Sequence, residues 1–276
     1  MTLVTRANLS EAYSGVTKGA MEAINIMQTF TTSTIREIAI ASPETTRVFE
    51  EFKIDYCCGG RKPFADACVD AGVDPGVVAE KVAAAITANA AKANDGTPES
   101  KSPSELIGYI IAKHHIFTAQ EIARLTPLME KVRTRHGEQH RELFELEIVF
   151  TALAESLIPH MRKEEVVLFP YIHSLEAALK QGQPLPPAHF GTVQNPIRMM
   201  MADHDTDGDR LRRMRDLTNG YTLPEGACPS YGALYAGLLD LERDLHRHIH
   251  LENNILFPAA TALEREVLEM SSTATA

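Results

Sequence analysis

Two segments of this chain are copies of one pattern, and that pattern limits the folds open to it. His160-Met161-Arg162-Lys163-Glu164 runs on to Val167-Leu168-Phe169-Pro170, and His248-Ile249-His250-Leu251-Glu252 runs on to Ile255-Leu256-Phe257-Pro258. Each reads His-x3-Glu-x3-Leu-Phe-Pro, and the copies lie 88 residues apart. Two more histidines sit upstream at matching distances: His115 is 45 residues before His160, and His204 is 44 before His248. Residues i and i+4 project from one face of a helix a turn apart, so each His–Glu pair can serve one site. The chain therefore reads as a duplicated helical hairpin with one set of candidate metal ligands per copy. In the shared tail Leu and Phe pack, and the proline is expected to kink or end each helix beyond the ligands.

The remaining pattern is all-α. Helical segments are expected at about 104–132, 137–180, 193–218 and 230–268, separated by breaks rich in Pro and Gly at Gln181–Pro187 and Thr222–Pro229. No segment alternates with period two for long enough to read as a strand. Four long helices with short connections make an antiparallel up-down bundle over 103–268. The stretch Ala93–Pro103 reads as a linker. Before it, 33–94 is a small helical domain with a capping signature at Ser33–Glu37, a Ser42-Pro43-Glu44 start, and helices at Pro63–Ala71 and Pro75–Asn89. Residues 1–30 read as an extension, partly helical, to which no function is assigned.

A net charge of −10 argues against general binding to nucleic-acid phosphates. No apolar run is long enough for a membrane helix, and the first thirty residues carry no secretory signal. Four cysteines are too few for a disulfide framework, so a reducing cytoplasm is the expected location.

Imidazole nitrogens suit first-row transition metals, and a carboxylate with two oxygens can bridge two ions. Four inward-facing histidines and two glutamates, His115, His160, His204, His248, Glu164 and Glu252, can meet near the bundle axis, as in the di-iron carboxylate bundles. Two His per metal and two bridging carboxylates leave each ion short of six ligands, with room for an oxo bridge and a small diatomic guest. A zinc hydrolase fits poorly, since it uses three protein ligands and an open water site. His115 is preferred to the adjacent His114 because Ile111 and Ala119 share its face, though spacing alone leaves His114 open. His246 and His250 should lie on another side of their helix. His136, His140, His173 and His189 are expected in loops or solvent, with His136 a candidate for the site mouth. Asp203 and Asp207, beside His204, read either as carboxylates that orient a ligand imidazole or as a solvated face. Of Met199-Met200-Met201, three residues in a row on a helix cannot all face inward.

A further motif, Ile54-Asp55-Tyr56-Cys57-Cys58-Gly59-Gly60, lies in the small domain. Together with His160-x3-Glu164-x3-Leu168-Phe169-Pro170, Asp203-His204-Asp205 and His248–Asn254, it resembles the iron–sulfur cluster repair di-iron proteins of the RIC or ScdA type, whose catalytic domain is hemerythrin-like. The likeness spans about residues 33–265. It implies a hemerythrin-like bundle holding a non-heme, oxo-bridged pair of iron ions on His115, His160, Glu164, His204, His248 and Glu252, with both glutamates bridging. It implies repair of iron–sulfur proteins damaged by nitric oxide or oxidative stress, with nitric oxide or oxygen as small ligands. Cys57 and Cys58 match the family's vicinal pair, which is associated with repair rather than with binding the di-iron core. Adjacent thiols can also be two small buried apolar groups. Cys68 and Cys228 are expected to be structural. Oxygen-carrying hemerythrins use five histidines and lack the cysteine domain. A second reading is an oxygen, nitric oxide or iron binding or sensing protein without repair activity. The alanine-rich faces near 79–93 can pack within the chain or form a homodimer.

Overall fold

The computed structural model describes Phe30 and residues 33–89, 97–184 and 186–273. The expected extension 1–30 (apart from Phe30) and the start of the linker at 93–96 lie outside these residues. The chain divides into two compact units, Met1–Asp95 and Gly96–Ala276.

In the first unit, α1 (Ile35–Ala41) opens on a reciprocal cap. The Thr34 hydroxyl accepts from the Glu37 amide at 3.2 Å, and the Glu37 carboxylate accepts from the Thr34 amide at 2.8 Å. These bonds satisfy two amides that a helix start leaves without partners. A 3-10 turn (Pro43–Thr45) leads into α2 (Thr46–Glu51), followed by α3 (Phe64–Asp70) and α4 (Pro75–Asn89). Their apolar faces close on Ile35, Phe49, Phe64, Cys68, Val78 and Val82, which makes Cys68 a core residue. The loop between α2 and α3 carries the adjacent cysteines. Gly60 closes it: its carbonyl accepts from the Arg36 amide at 2.7 Å, and a Cβ there would come within 2.5 Å of the Tyr56 carbonyl oxygen.

The second unit is a bundle of four rods. The first joins α5 (Pro103–Ile110) to α6 (Ile116–His136), and the second joins α7 (Glu142–Lys163) to α8 (Phe169–Gln181). The third is α9 (Gln194–Leu217), and the fourth joins α10 (Pro229–Leu251) to α11 (Phe257–Thr273). Helix α6 packs on α7 and α10, α7 on α9, and α8 on α11. The bundle is antiparallel and no strand occurs among the described residues, as the sequence pattern predicts.

Inside each composite rod is a π turn: Ile111–His115, Glu164–Leu168 and Glu252–Leu256. The amide of Phe169 reaches back five residues to the Glu164 carbonyl, and that of Phe257 does the same to Glu252. The expected break at the Leu-Phe-Pro tails is thus replaced by a widened turn. Pro170 and Pro258 fall in the first turn of the resumed helix, where a residue without an amide proton costs little. The helix continues through both prolines.

The apolar core has two parts. One is built on Leu125, Leu146, Phe150, Leu211, Leu238 and Leu245, the other on Ile110, Leu168, Phe169, Met200, Leu251 and Phe257. On every rod a histidine falls between residues of the two parts. A polar layer therefore crosses the bundle at the level of the π turns.

Candidate metal centre

The residues of that layer converge. His115, Glu164, His248 and Glu252 form one group whose donor atoms all lie within 4.8 Å of each other, and His160, Glu164, His204 and Glu252 form a second. All six side chains are at most 3% exposed. Each group has two imidazoles, and both groups share both carboxylates. Nε2 of His115 stands 3.2 Å from Nε2 of His248, and Nε2 of His204 stands 3.0 Å from Nε2 of His160.

The glutamates divide their oxygens between the groups. Glu164 places Oε2 3.5 Å from His115 and Oε1 3.3 Å from His160. Glu252 places Oε1 2.9 Å from His248 and Oε2 3.2 Å from His204. Both Glu164 oxygens and Oε2 of Glu252 are buried without a well-formed hydrogen bond. Buried carboxylate oxygens in that condition are costly unless a cation compensates them. With four imidazole nitrogens and two two-oxygen carboxylates, the donor set fits a pair of first-row transition-metal ions.

Electrostatics in the layer follow from the same packing. Burial pulls His160 down, but Glu164, then Glu252 and Asp203, outweigh it and carry its pKa up to about 9. His115 is raised against its burial by Glu252, Glu164 and Glu165. Burial wins at His248, which is lowered. Glu252 is held well below the usual carboxylate range despite its burial, by His248, His115 and His204.

Three of the four imidazoles have a partner on the nitrogen facing away from the layer. His115 Nδ1 meets Glu165 at 2.7 Å, His160 Nδ1 meets Asp203 at 3.2 Å, and His204 Nδ1 meets the Asn253 side-chain oxygen at 2.9 Å. Such contacts fix ring orientation and leave Nε2 for a metal. Asp203 thus orients His160 on the facing helix rather than its own neighbour His204, while Asp207 is buried against Ser156 and Arg210. Glu165 and Asn253 went unnoticed in the sequence; each directly follows a motif glutamate.

The other histidines scatter. His114 is buried as His115 is, bonded through Nδ1 to Asp244 at 2.9 Å and stacked on His248. The argument that chose His115 by a shared face fails at Ala119, which is exposed, because the π turn breaks the 3.6-residue period. His250 is buried beside Asn254, and His246 is half-buried near Glu242. His136 is not at a site mouth: it meets the Cys228 thiol at 3.1 Å and the Tyr231 ring, at the far end of α6. His140 sits in the α6–α7 turn, and His173 and His189 are exposed, as expected; His173 bonds Ser104 from within α8. Of the methionine run, Met200 is buried and Met199 is exposed.

In the first unit Asp55, Cys57 and Cys58 form a third group of donors within 4.8 Å of one another. Oδ1 of Asp55 accepts from the amides of Cys57 and Cys58 at 3.1 and 2.9 Å and from the Cys57 thiol at 3.3 Å. The two sulfurs are 3.9 Å apart. Cys57 is buried and its thiol pKa is raised well above the ordinary value by its hydrogen bond to Cys58, by burial and by Asp55.

Bundle and layer together define a hemerythrin-like cation-binding protein. The hemerythrin HHE cation binding domain matches residues 107–260, and ScdA_N, a domain of unknown function, matches residues 31–86. The iron–sulfur cluster repair protein YtfE of Yersinia pseudotuberculosis serotype IB (strain PB1/+) is 34% identical over 224 residues, covering 81% of this chain and 94% of the relative. YtfE of Yersinia pestis (strain Pestoides F) matches with the same identity and coverage. The chain belongs to this family of hemerythrin-like iron–sulfur cluster repair proteins. No helix among its described residues is long and apolar enough to cross a membrane.

Proposed function

We propose that this protein repairs damaged iron–sulfur clusters and that its bundle holds two non-heme, oxo-bridged iron ions. His115 and His248 would hold one ion and His160 and His204 the other, with Glu164 and Glu252 shared between them. The observation that carries the reading is the pair of buried donor groups sharing both carboxylates. Two such ions supply redox chemistry and affinity for small ligands such as nitric oxide or oxygen. The protein's part is to orient the imidazoles through Glu165, Asp203 and Asn253 and to keep bulk water from the layer with Phe169 and Phe257, whose rings stack on His115 and His204. The vicinal thiols Cys57 and Cys58 act on the damaged client or on sulfur-bound species taken from it, in a cytoplasmic setting.

The test is iron content with a visible absorption spectrum, followed by recovery of a nitric oxide-damaged iron–sulfur enzyme. Two irons per chain with near-ultraviolet oxo-bridge bands, and client recovery that the double variant Cys57→Ser/Cys58→Ser abolishes, are expected. Two irons with no client recovery by the wild type would leave a binding or sensing protein. No iron after anaerobic reconstitution would refute the ligand set.

A further inference from the structure

His248 is the one candidate ligand whose Nδ1, although buried, has no hydrogen-bonding partner among the described residues. Three other buried polar atoms on the same two rods share that condition: His114 Nε2, Thr118 Oγ1 and Asp244 Oδ2. The four residues form two i,i+4 pairs on facing helices, His114 and Thr118 on the first rod and Asp244 and His248 on α10. His114 stacks on His248 with centroids 5.5 Å apart, and its Nδ1 meets Asp244 Oδ1. The antiparallel register of this helix pair is fixed further along. His136 meets Cys228, and a Cβ on Gly237 would strike Leu125. That register sets Thr118 level with Asp244.

Thr118 differs from threonines elsewhere in the chain. Thr126, Thr206 and Thr261 each return their hydroxyl to the carbonyl four residues back, the default for a helical threonine. Fully buried Thr118 does not. A buried hydroxyl, carboxylate oxygen and ring nitrogen left unbonded on one helix pair are each costly. Buried waters are found where two to four such groups converge.

We propose that Thr118 Oγ1, Asp244 Oδ2 and His248 Nδ1 share one buried water, and that through it Asp244 is the positioning residue for His248. His114 donates Nδ1–H to Asp244, which makes its Nε2 an acceptor. The water accepts from His248 Nδ1–H and from the Thr118 hydroxyl, and donates to Asp244 Oδ2; His114 Nε2 points away from that carboxylate and lies outside its reach. His248 then gains what Glu165, Asp203 and Asn253 give the other three imidazoles, and its Nε2 is aimed at the layer. This inference rests on His248 being a metal ligand, as proposed above.

The experiment uses the full chain labelled with 15N-histidine and loaded with zinc, a diamagnetic probe. In the wild type, His248 Nδ1–H should give a slowly exchanging resonance alongside those of His115, His160 and His204. Asp244→Ala should remove that resonance alone. It should also speed release of one zinc to a chelator by about 10- to 100-fold, the usual effect of losing an outer partner, with two zincs still bound at saturation. Thr118→Val should shift the same resonance with a smaller change in release. Should Asp244→Ala fail to fold, the near-isosteric Asp244→Asn decides, with a shifted resonance and an intermediate rate expected. An Asp244 variant that binds two zincs with the His248 resonance and both release rates unchanged overturns the inference and leaves the metal reading standing. A wild type that takes up no zinc or iron overturns both.

Discussion

Metal loading of this bundle should release protons, and the amount can be worked out from the layer. In the metal-free protein His160 has its pKa carried up to about 9 by Glu164, Glu252 and Asp203. At pH 7 it holds a proton on nearly every molecule, and a metal arriving at Nε2 must displace it. Between pH 7 and 8 the apparent affinity should therefore rise about tenfold, or about 1.4 kcal/mol, from His160 alone. The rise should flatten as pH passes 9. His115, also raised, adds to the slope, whereas His248, lowered by burial, adds nothing. Stability of the metal-free fold should run the other way. His160 is raised above its unfolded value of about 6.5, so its contribution is complete below that pH and is lost as pH climbs through about 9. Calorimetric titration with zinc at pH 7 and 8, in two buffers of different ionisation enthalpy, counts the protons directly. Release of at least one proton per chain at pH 7 is expected; a flat affinity with no proton released would refute the electrostatic account of the layer.

Other outcomes follow from single positions. His248→Ala should lower bound iron from two to about one per chain or fewer by elemental analysis, and abolish client recovery. Gly237→Val should destabilise the bundle by roughly 1–3 kcal/mol in chemical denaturation, because a Cβ there meets Leu125 at 2.7 Å where α6 and α10 touch. It should leave metal stoichiometry intact, since the layer lies several turns away. Iodoacetamide at pH 8 should label half-exposed Cys58 before Cys57, which is buried with its thiol pKa raised; mass spectrometry of timed digests reads the order. Thr34→Ala should cost about 1 kcal/mol, from the lost cap of α1.

The fold was legible because its signals are periodic. Helical spacing, capping residues and breaks rich in Pro and Gly marked the four rods, and the boundaries that slipped flank the α6–α7 turn: α6 runs on to His136 and α7 starts only at Glu142. The convergence of both glutamates with four histidines was legible for another reason: a duplicated motif makes coincidence improbable, and each copy carries its own i,i+4 pair. What escaped depends on contacts between rods. Nothing in sequence spacing says that Asp203 faces His160 rather than His204, that Asn253 reaches His204, or that His136 ends beside Cys228. The proline was misread because a helix-breaking propensity was weighed without the π turn before it, which supplies the room the ring needs.

Those π turns amount to surplus length. Each contains one more residue than an α-helix needs at that point, so three rods behave as if a single residue had been spliced into a regular helix at the level of the layer. Tightening one of them, for example Glu164–Leu168, to ordinary α pitch with every residue kept would swing everything downstream by about 100°. Phe169, Ile172 and Leu175 would leave the core they now share with Ile197 and Phe257. The extra residue is thus locked in by packing on its far side. The chain tolerates an imperfect helix there because the segments before and after it answer to different masters, the first to the polar layer and the second to the apolar cap beyond.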